Sequence, residues 1–237
     1  MATSSWQLLA GTACAAVLVA TVLVARRRRA QALRVTLADV DVCFIRHGNT
    51  NKAPVDFDRT LTPKGEAQAA AARAYLSQMP LLKAIAVSSP ATRCVQTASI
   101  ALAGQGVRTV QPAQKIYDAL LQPSSEAFGR LGYAPLRSYR AEGAEMTALL
   151  DNYAIGVLDQ VAELLDGVDV ASDDVQQRPT LVIFGHAVYL PAVALLLAQR
   201  RGHSDAELDK VLRTNTKEAC GFWVRSHGVE IMEHELA

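Results

Sequence analysis

Short apolar runs that break off at polar tips and give way to helical composition constrain this chain more than any other feature. Residues 40–45 form a compact apolar run with β-branched and aromatic members, and it ends at Arg46-His47-Gly48. Residues 84–87 form a second, ended by Ser88-Ser89-Pro90, after which 91–103 resumes a helical composition until Gly104. Residues 181–184 form another, ended by Gly185-His186 and followed by an apolar stretch over 190–198. Runs this short, bounded by turn residues, read as buried strands, and each is followed by a helix. Strand, polar tip and helix in repetition predict an α/β domain.

The remaining segments fit that plan. Thr62-Pro63-Lys64-Gly65-Glu66 combines a capping hydroxyl, a proline at the first helical position and an acid in the first turn, so a helix is predicted from there to about Met79. Residues 107–110 read as a third strand, and the Pro- and Gly-containing stretch 122–143 as a long surface excursion. Leu149, Leu150, Tyr153, Val157, Leu158, Val161, Leu164 and Leu165 recur at helical spacing, which makes 144–165 the longest helix. Residues 222–224 and 229–232, joined through Ser226-His227-Gly228, suit a terminal hairpin. The expected architecture is a three-layer sandwich, a mainly parallel sheet with helices on both faces. In such sheets ligands sit beyond the carboxyl ends of the strands, where Arg46-His47, Ser88 to Arg93 and His186 fall.

Residues 1–38 differ from the rest. Residues 1–25 carry no charged side chain, and Arg26, Arg27, Arg28 and Arg29 then arrive together, followed by Arg34, with no acid before Asp39. The apolar run 8–25, at roughly 18–20 residues, just reaches the length needed to cross hydrocarbon. Arginines favour the cytoplasmic side, so the expectation is a single-pass anchor with basic flank over 1–38 and a domain over 39–237 facing the cytoplasm. A mitochondrial or plastid address is the alternative, because this segment is acid-free and carries Thr3, Ser4 and Ser5. A formal net charge of +1 argues against a nucleic-acid partner. Cys14, Cys43, Cys94 and Cys220 show no metal-ligand spacing, and no carboxylate cluster offers a two-metal site, so neither metal nor cofactor is expected.

Three strand tips carry two histidines and two arginines. Ser89-Pro90-Ala91-Thr92-Arg93 puts an arginine in the first turn of a helix, where the dipole already favours an anion. Taken in order, Arg46-His47-Gly48, Leu61-Thr62-Pro63-Lys64-Gly65-Glu66-Ala67-Gln68-Ala69, Ser88 to Arg93 and Gly185-His186 resemble the signature elements of the histidine phosphatase superfamily, also called phosphoglycerate mutase-like, in its small phosphatase branch. The resemblance runs from about Val40 to the C-terminus. It implies a phosphoglycerate mutase-like fold and a histidine acid-type phosphatase acting on a phosphorylated small molecule or phosphoprotein.

The resemblance also implies roles, which the chemistry of the side chains supports. His47 would be the nucleophile that takes up the phosphoryl group, since a neutral imidazole attacks phosphorus well. Arg46 and Arg93 would hold phosphoryl oxygens with planar charged forks, His186 would add a donor, and Asn49 and Thr50 would either hydrogen-bond phosphate or shape the loop. Asp118, in Lys115-Ile116-Tyr117-Asp118, is the expected proton donor, with Glu126 and Glu142 as alternatives. His203, His227 and His234 read as surface residues, and Phe128, Tyr133 and Tyr139 as aromatics that either shape specificity or pack the excursion down. Two other readings stand beside the hydrolase. A mutase-type phosphotransferase would follow its signature with Glu-Ser-x-Trp-Asn, whereas here the loop is Asn49-Thr50-Asn51-Lys52-Ala53. A catalytically weak, tethered phospho-binding scaffold would more often have lost one of the four tip residues.

Overall fold

The computed structural model describes residues 36–38, 40–78, 85–107, 110–118, 124–166 and 178–233, without the side chains of residues 118, 124 and 125. The apolar run 8–25 and the arginine cluster fall outside this set. No helix among the described residues is long and apolar enough to cross a membrane, so the expected N-terminal membrane helix has no support from the described part.

Six strands form one sheet: β1 (Asp41–Arg46), β2 (Ile85–Ser88), β3 (Val110–Pro112), β4 (Thr180–Gly185), β5 (Gly221–Val224) and β6 (Val229–Met232), in the order β3-β2-β4-β1-β5-β6. β1 with β4, β4 with β2 and β2 with β3 pair in parallel, while β5 lies antiparallel to β1 and to β6. The sheet is therefore mixed, four parallel strands closed on one side by the terminal hairpin. β1, β2 and β4 are buried along nearly their whole length and mostly apolar because both faces are covered, whereas β3, Val-Gln-Pro, is a partly exposed edge.

The helices are α1 (Pro63–Ser77), α2 (Thr92–Ala101), α3 (Lys115–Asp118), α4 (Ser124–Leu131), α5 (Leu136–Arg140), α6 (Ala144–Asp166), α7 (Tyr189–Arg200) and α8 (Asp205–Arg213). Strand alternation divides the core between them. Val42, Phe44, Leu181 and Ile183 meet Leu150, Val157 and Val161 of α6 and Val193 and Leu197 of α7. Cys43, Ile45, Val182 and Phe184 face the other way, onto Ala72 and Leu76 of α1 and Ala98 and Ala101 of α2. Each fully buried leucine or isoleucine contributes about 1.5–3 kcal/mol, so both helix layers are needed to hold the sheet.

Three segments differ from the sequence expectation. Among the described residues Val107 is not part of a strand, and the third strand is Val110–Pro112. As an edge strand it tolerates a residue without an N–H. The excursion 122–143 is not irregular: it carries α4 and α5, with Leu136 and Tyr139 buried against the core. Residues after His203 form α8, whose cap Ser204 accepts from the Glu207 amide at 3.4 Å.

Candidate active site

The parallel register sets the tips of β1, β4 and β2 side by side, with Arg46 opposite Gly185 and Ser88 opposite Phe184. The ladder continues one residue into the tips: the His47 amide donates to Gly185 O and the Ser89 amide to Phe184 O, both at 2.9 Å. The loop after β1 is then gripped from other sides. The Gly48 amide donates to Thr97 Oγ1 of α2 at 3.1 Å. The Ala219 amide, from a residue with φ of 57°, donates to His47 O at 3.3 Å. The N-terminus of α1 presses on the loop so closely that a Cβ on Gly48 would lie 2.6 Å from Gly65 O. That contact requires the glycine of Arg46-His47-Gly48.

His47 is 7% exposed, and its Nδ1 stands 2.7 Å from Gly48 O. A carbonyl only accepts, so this contact assigns the proton to Nδ1 and leaves the lone pair on Nε2. Burial, with Arg93, Arg46 and Arg59 nearby, pushes the imidazole down to about 3 against the opposing pull of the Gly48 carbonyl. The ring is neutral across ordinary pH. The His186 ring lies 5.4 Å away, edge to face, and it too is driven well below the usual imidazole range, by burial first and then by His47, Arg93 and Arg46.

Two buried guanidinium groups flank the histidines. Arg46, 4% exposed, donates from Nη1 to Thr216 O at 2.8 Å, and the Tyr133 ring sits 4.2 Å from its Cζ. Arg93, 2% exposed, contacts His186 Nδ1 through Nη2 at 3.3 Å. Arginine only donates, so the His186 proton is assigned to Nε2, which reaches Ser89 Oγ at 2.9 Å. Both His186 nitrogens are thus engaged, and donation to a phosphoryl oxygen requires one contact to be exchanged. The Nε atoms of Arg46 and Arg93 are buried with no hydrogen-bond partner among the described residues. Two unanswered charged donors beside a neutral imidazole suit an anion.

The other residues singled out in the sequence divide. Asn49 is committed to the loop: its Nδ2 donates to Glu218 Oε1 at 2.9 Å, its Oδ1 accepts from Thr62 Oγ1 at 2.8 Å and its amide donates to Gln68 Oε1 at 2.7 Å. Thr50 accepts from Arg59 Nη2. Asp118 ends α3, and its side chain is outside the described set, but its neighbour Tyr117 has its ring 5.9 Å from that of His186. Glu142 pairs with Arg130, and Glu126 is exposed on α4. Of the aromatics, Tyr133 walls the site beside Phe128, whereas Tyr139 is buried. His203 is half-buried, exposed His227 pairs with Glu230, and His234 is outside the described residues.

Sequence reasoning missed Asp56, Arg59 and Glu218. Asp56 Oδ2 lies 2.8 Å from Arg93 Nη2, and its Oδ1 lies 3.1 Å from Arg59 Nη1. Glu218 bridges Asn49 and Gln68, receiving Gln68 Nε2 at 3.0 Å. Arg59 stands two residues before Leu61, directly ahead of an element already noticed. Asp56 and Glu218 reach the site only through the fold.

Residues 42–117 match the family model described as histidine phosphatase superfamily (branch 1). No curated protein sequence matches the chain. Among solved structures, the native mycobacterial glucosyl-3-phosphoglycerate phosphatase superposes with a TM-score of 0.55 at 19% identity, covering 81% of this chain and 96% of that one. Its complex with inorganic phosphate gives 0.52 at 19% identity, over 84% and 97%. A protein described as mycobacterial hydrolase 2 gives 0.53 at 20% identity, over 81% and 88%. At such identities the likeness is one of fold.

Proposed function

From a segment, residues 42–117, that belongs to the histidine phosphatase superfamily, we propose that this chain is a phosphomonoester or phosphoprotein hydrolase acting through a phosphohistidine on His47. The observation that carries the reading is the neutral His47 imidazole, its Nε2 lone pair free of the proton, set among two buried guanidinium groups with unanswered Nε–H donors.

In the first step His47 Nε2 forms a bond to phosphorus as the bond to the leaving oxygen breaks, and that oxygen takes a proton. In the second, water attacks phosphorus, the P–N bond breaks, and orthophosphate leaves with the imidazole restored. Arg46 and Arg93 hold the equatorial oxygens and neutralise charge in flight, the dominant contribution to phosphoryl transfer, so no metal is called for. Asp118 is the proposed proton donor, supported by its place next to Tyr117 on the pocket wall. Glu142, paired with Arg130, is held to other work. The loop Asn49-Thr50-Asn51-Lys52-Ala53 favours hydrolysis over a mutase reaction. The run 8–25 and its arginines are proposed as a membrane tether with the domain on the cytoplasmic side, on the sequence pattern alone.

The test is hydrolysis of p-nitrophenyl phosphate by the full-length chain with chelator present, beside His47→Ala. Loss on the order of a thousandfold or more in the variant is expected. Undiminished turnover by folded His47→Ala would end the proposal.

A further inference from the structure

The guanidinium of Arg93 is already occupied, and by an anion from the chain itself. Its Nη2 meets Asp56 Oδ2 at 2.8 Å and its Nη1 meets the Asp56 backbone carbonyl at 2.5 Å. The other carboxylate oxygen is held by Arg59 Nη1 at 3.1 Å, while Arg59 Nε reaches Asn51 O at 3.1 Å. The Tyr117 hydroxyl stands 3.5 Å from Asp56 Oδ2. One carboxylate oxygen and the backbone carbonyl of Asp56 thus take the two Nη groups of a buried arginine, the groups that two oxygens of a phosphoryl anion would use.

The segment that delivers Asp56 is lightly held. It is a one-turn 3-10 helix, Asp56–Asp58, with no buried residue, and the Asp56 side chain is 48% exposed. Arg93 is rooted, by contrast, in α2 and almost wholly buried. Of the two partners, the aspartate is the one that can leave. A dianionic phosphoryl group answers Arg93 with more charge than one carboxylate and fills the unpartnered Nε–H as well.

We propose that Asp56 is an internal competitor for the phosphoryl site, occupying Arg93 in the free protein and being displaced with its 3-10 turn when a phosphorylated ligand binds. This rests on the phosphohydrolase reading of the same pocket. Asp56 then sets the affinity threshold: ligands that offer Arg93 less than a phosphoryl dianion do not dislodge it. Release of the carboxylate also frees Arg59, its partner, to turn with the loop.

The test is calorimetric titration of inorganic phosphate into the full-length chain, as wild type, Asp56→Asn and Asp58→Asn. Asp58 shares the same turn, so its variant makes the same charge change without touching the Arg93 contact. Phosphate is expected to bind Asp56→Asn about three- to tenfold more tightly than wild type, with Asp58→Asn close to wild type. With p-nitrophenyl phosphate the gain is expected in KM, not in kcat. Equal or weaker binding by Asp56→Asn overturns the proposal. Equal tightening by both variants overturns it too, since the effect would be general charge. A fall in kcat at unchanged phosphate affinity would make Asp56 a participant in the chemistry instead. Absence of phosphate binding in all three chains would remove the phosphoryl site itself, whereas binding without turnover would count against the hydrolase alone.

Discussion

Gly65 and Asn49 meet backbone to backbone: a Cβ on Gly65 would lie 2.1 Å from Asn49 O and 2.9 Å from Asn49 N. The contact fixes the start of α1 against the loop that carries His47. Neither backbone can yield without moving the loop, so Gly65→Ala is expected to cost about 1–3 kcal/mol and most of the turnover. Gly156, inside α6, has nothing within 4 Å of the same added carbon. There Gly→Ala is expected to stabilise by about 0.5–1 kcal/mol. Thermal melts of both variants decide the matter, and a shared direction would show that close approach is not what Gly65 serves.

Acid should destabilise the fold through His47. Between about pH 3 and the ordinary imidazole value of 6.5, the unfolded chain takes up a proton that the folded chain refuses. Stability therefore rises with pH across that window and is fully present above it. Lowering pH from 6.5 to 5 is expected to remove up to about 2 kcal/mol at this position, and His47→Asn should reduce the dependence to the share that buried His186 carries. Denaturant melts at several pH values measure it. An NMR titration placing the His47 midpoint near 6.5 in the folded protein would contradict a buried, neutral His47.

Glu218 holds two amide groups at once, from Asn49 and Gln68. Glu218→Ala leaves both donors without it, and a loss of about 1–3 kcal/mol is expected together with a lower kcat. Glu218→Gln, which keeps one acceptor, should fall between. Steady-state kinetics beside melts would show whether the loop or only the fold has been disturbed, since wild-type kcat in a destabilised Glu218→Ala would deny it any positioning role.

Arg201 gathers carbonyls from separate parts of the chain: Nη1 donates to Val224 O at 2.6 Å, and Nη2 donates to Leu37 O at 2.6 Å and Val40 O at 2.5 Å. A lysine ammonium is a single point and cannot reproduce that fork. Arg201→Lys is expected to lower stability by about 1–3 kcal/mol with little effect on KM, read from denaturant melts and kinetics. Unchanged stability would mean that water answers the carbonyls equally well.

The parts of this fold legible in the sequence were those written in local contrast. β1, β2 and β4 show as apolar runs ending at polar tips because strands buried on both faces carry no alternation to confuse the pattern. The start of α1 shows in Thr62 and Pro63. The helix α8 escaped although Ser204 and Glu207 stand at cap and third position, because its few apolar residues, Leu208, Val211 and Leu212, make a narrow stripe in a charged segment. α4 and α5 escaped because short helices around Gly132 and Pro135 read as loop. In the site, the strand-tip residues were legible from position alone. Asp56 and Glu218 were not, since Asp56 meets Arg93 across 37 residues and Glu218 meets Asn49 across 169, and no local pattern encodes such meetings.

The loop that bears His47 is closed by residues near the other end of the chain. Thr216 O receives Arg46 Nη1, Cys220 O receives the Arg46 amide, and Ala219 donates to His47 O. A nascent chain that has emerged as far as residue 200 thus possesses both histidines and both arginines, yet the cradle is unfinished. The cradle closes only once residues 216–220 have left the ribosome, so a chain halted at residue 200 is expected to lack the fixed loop on which the proposed chemistry depends.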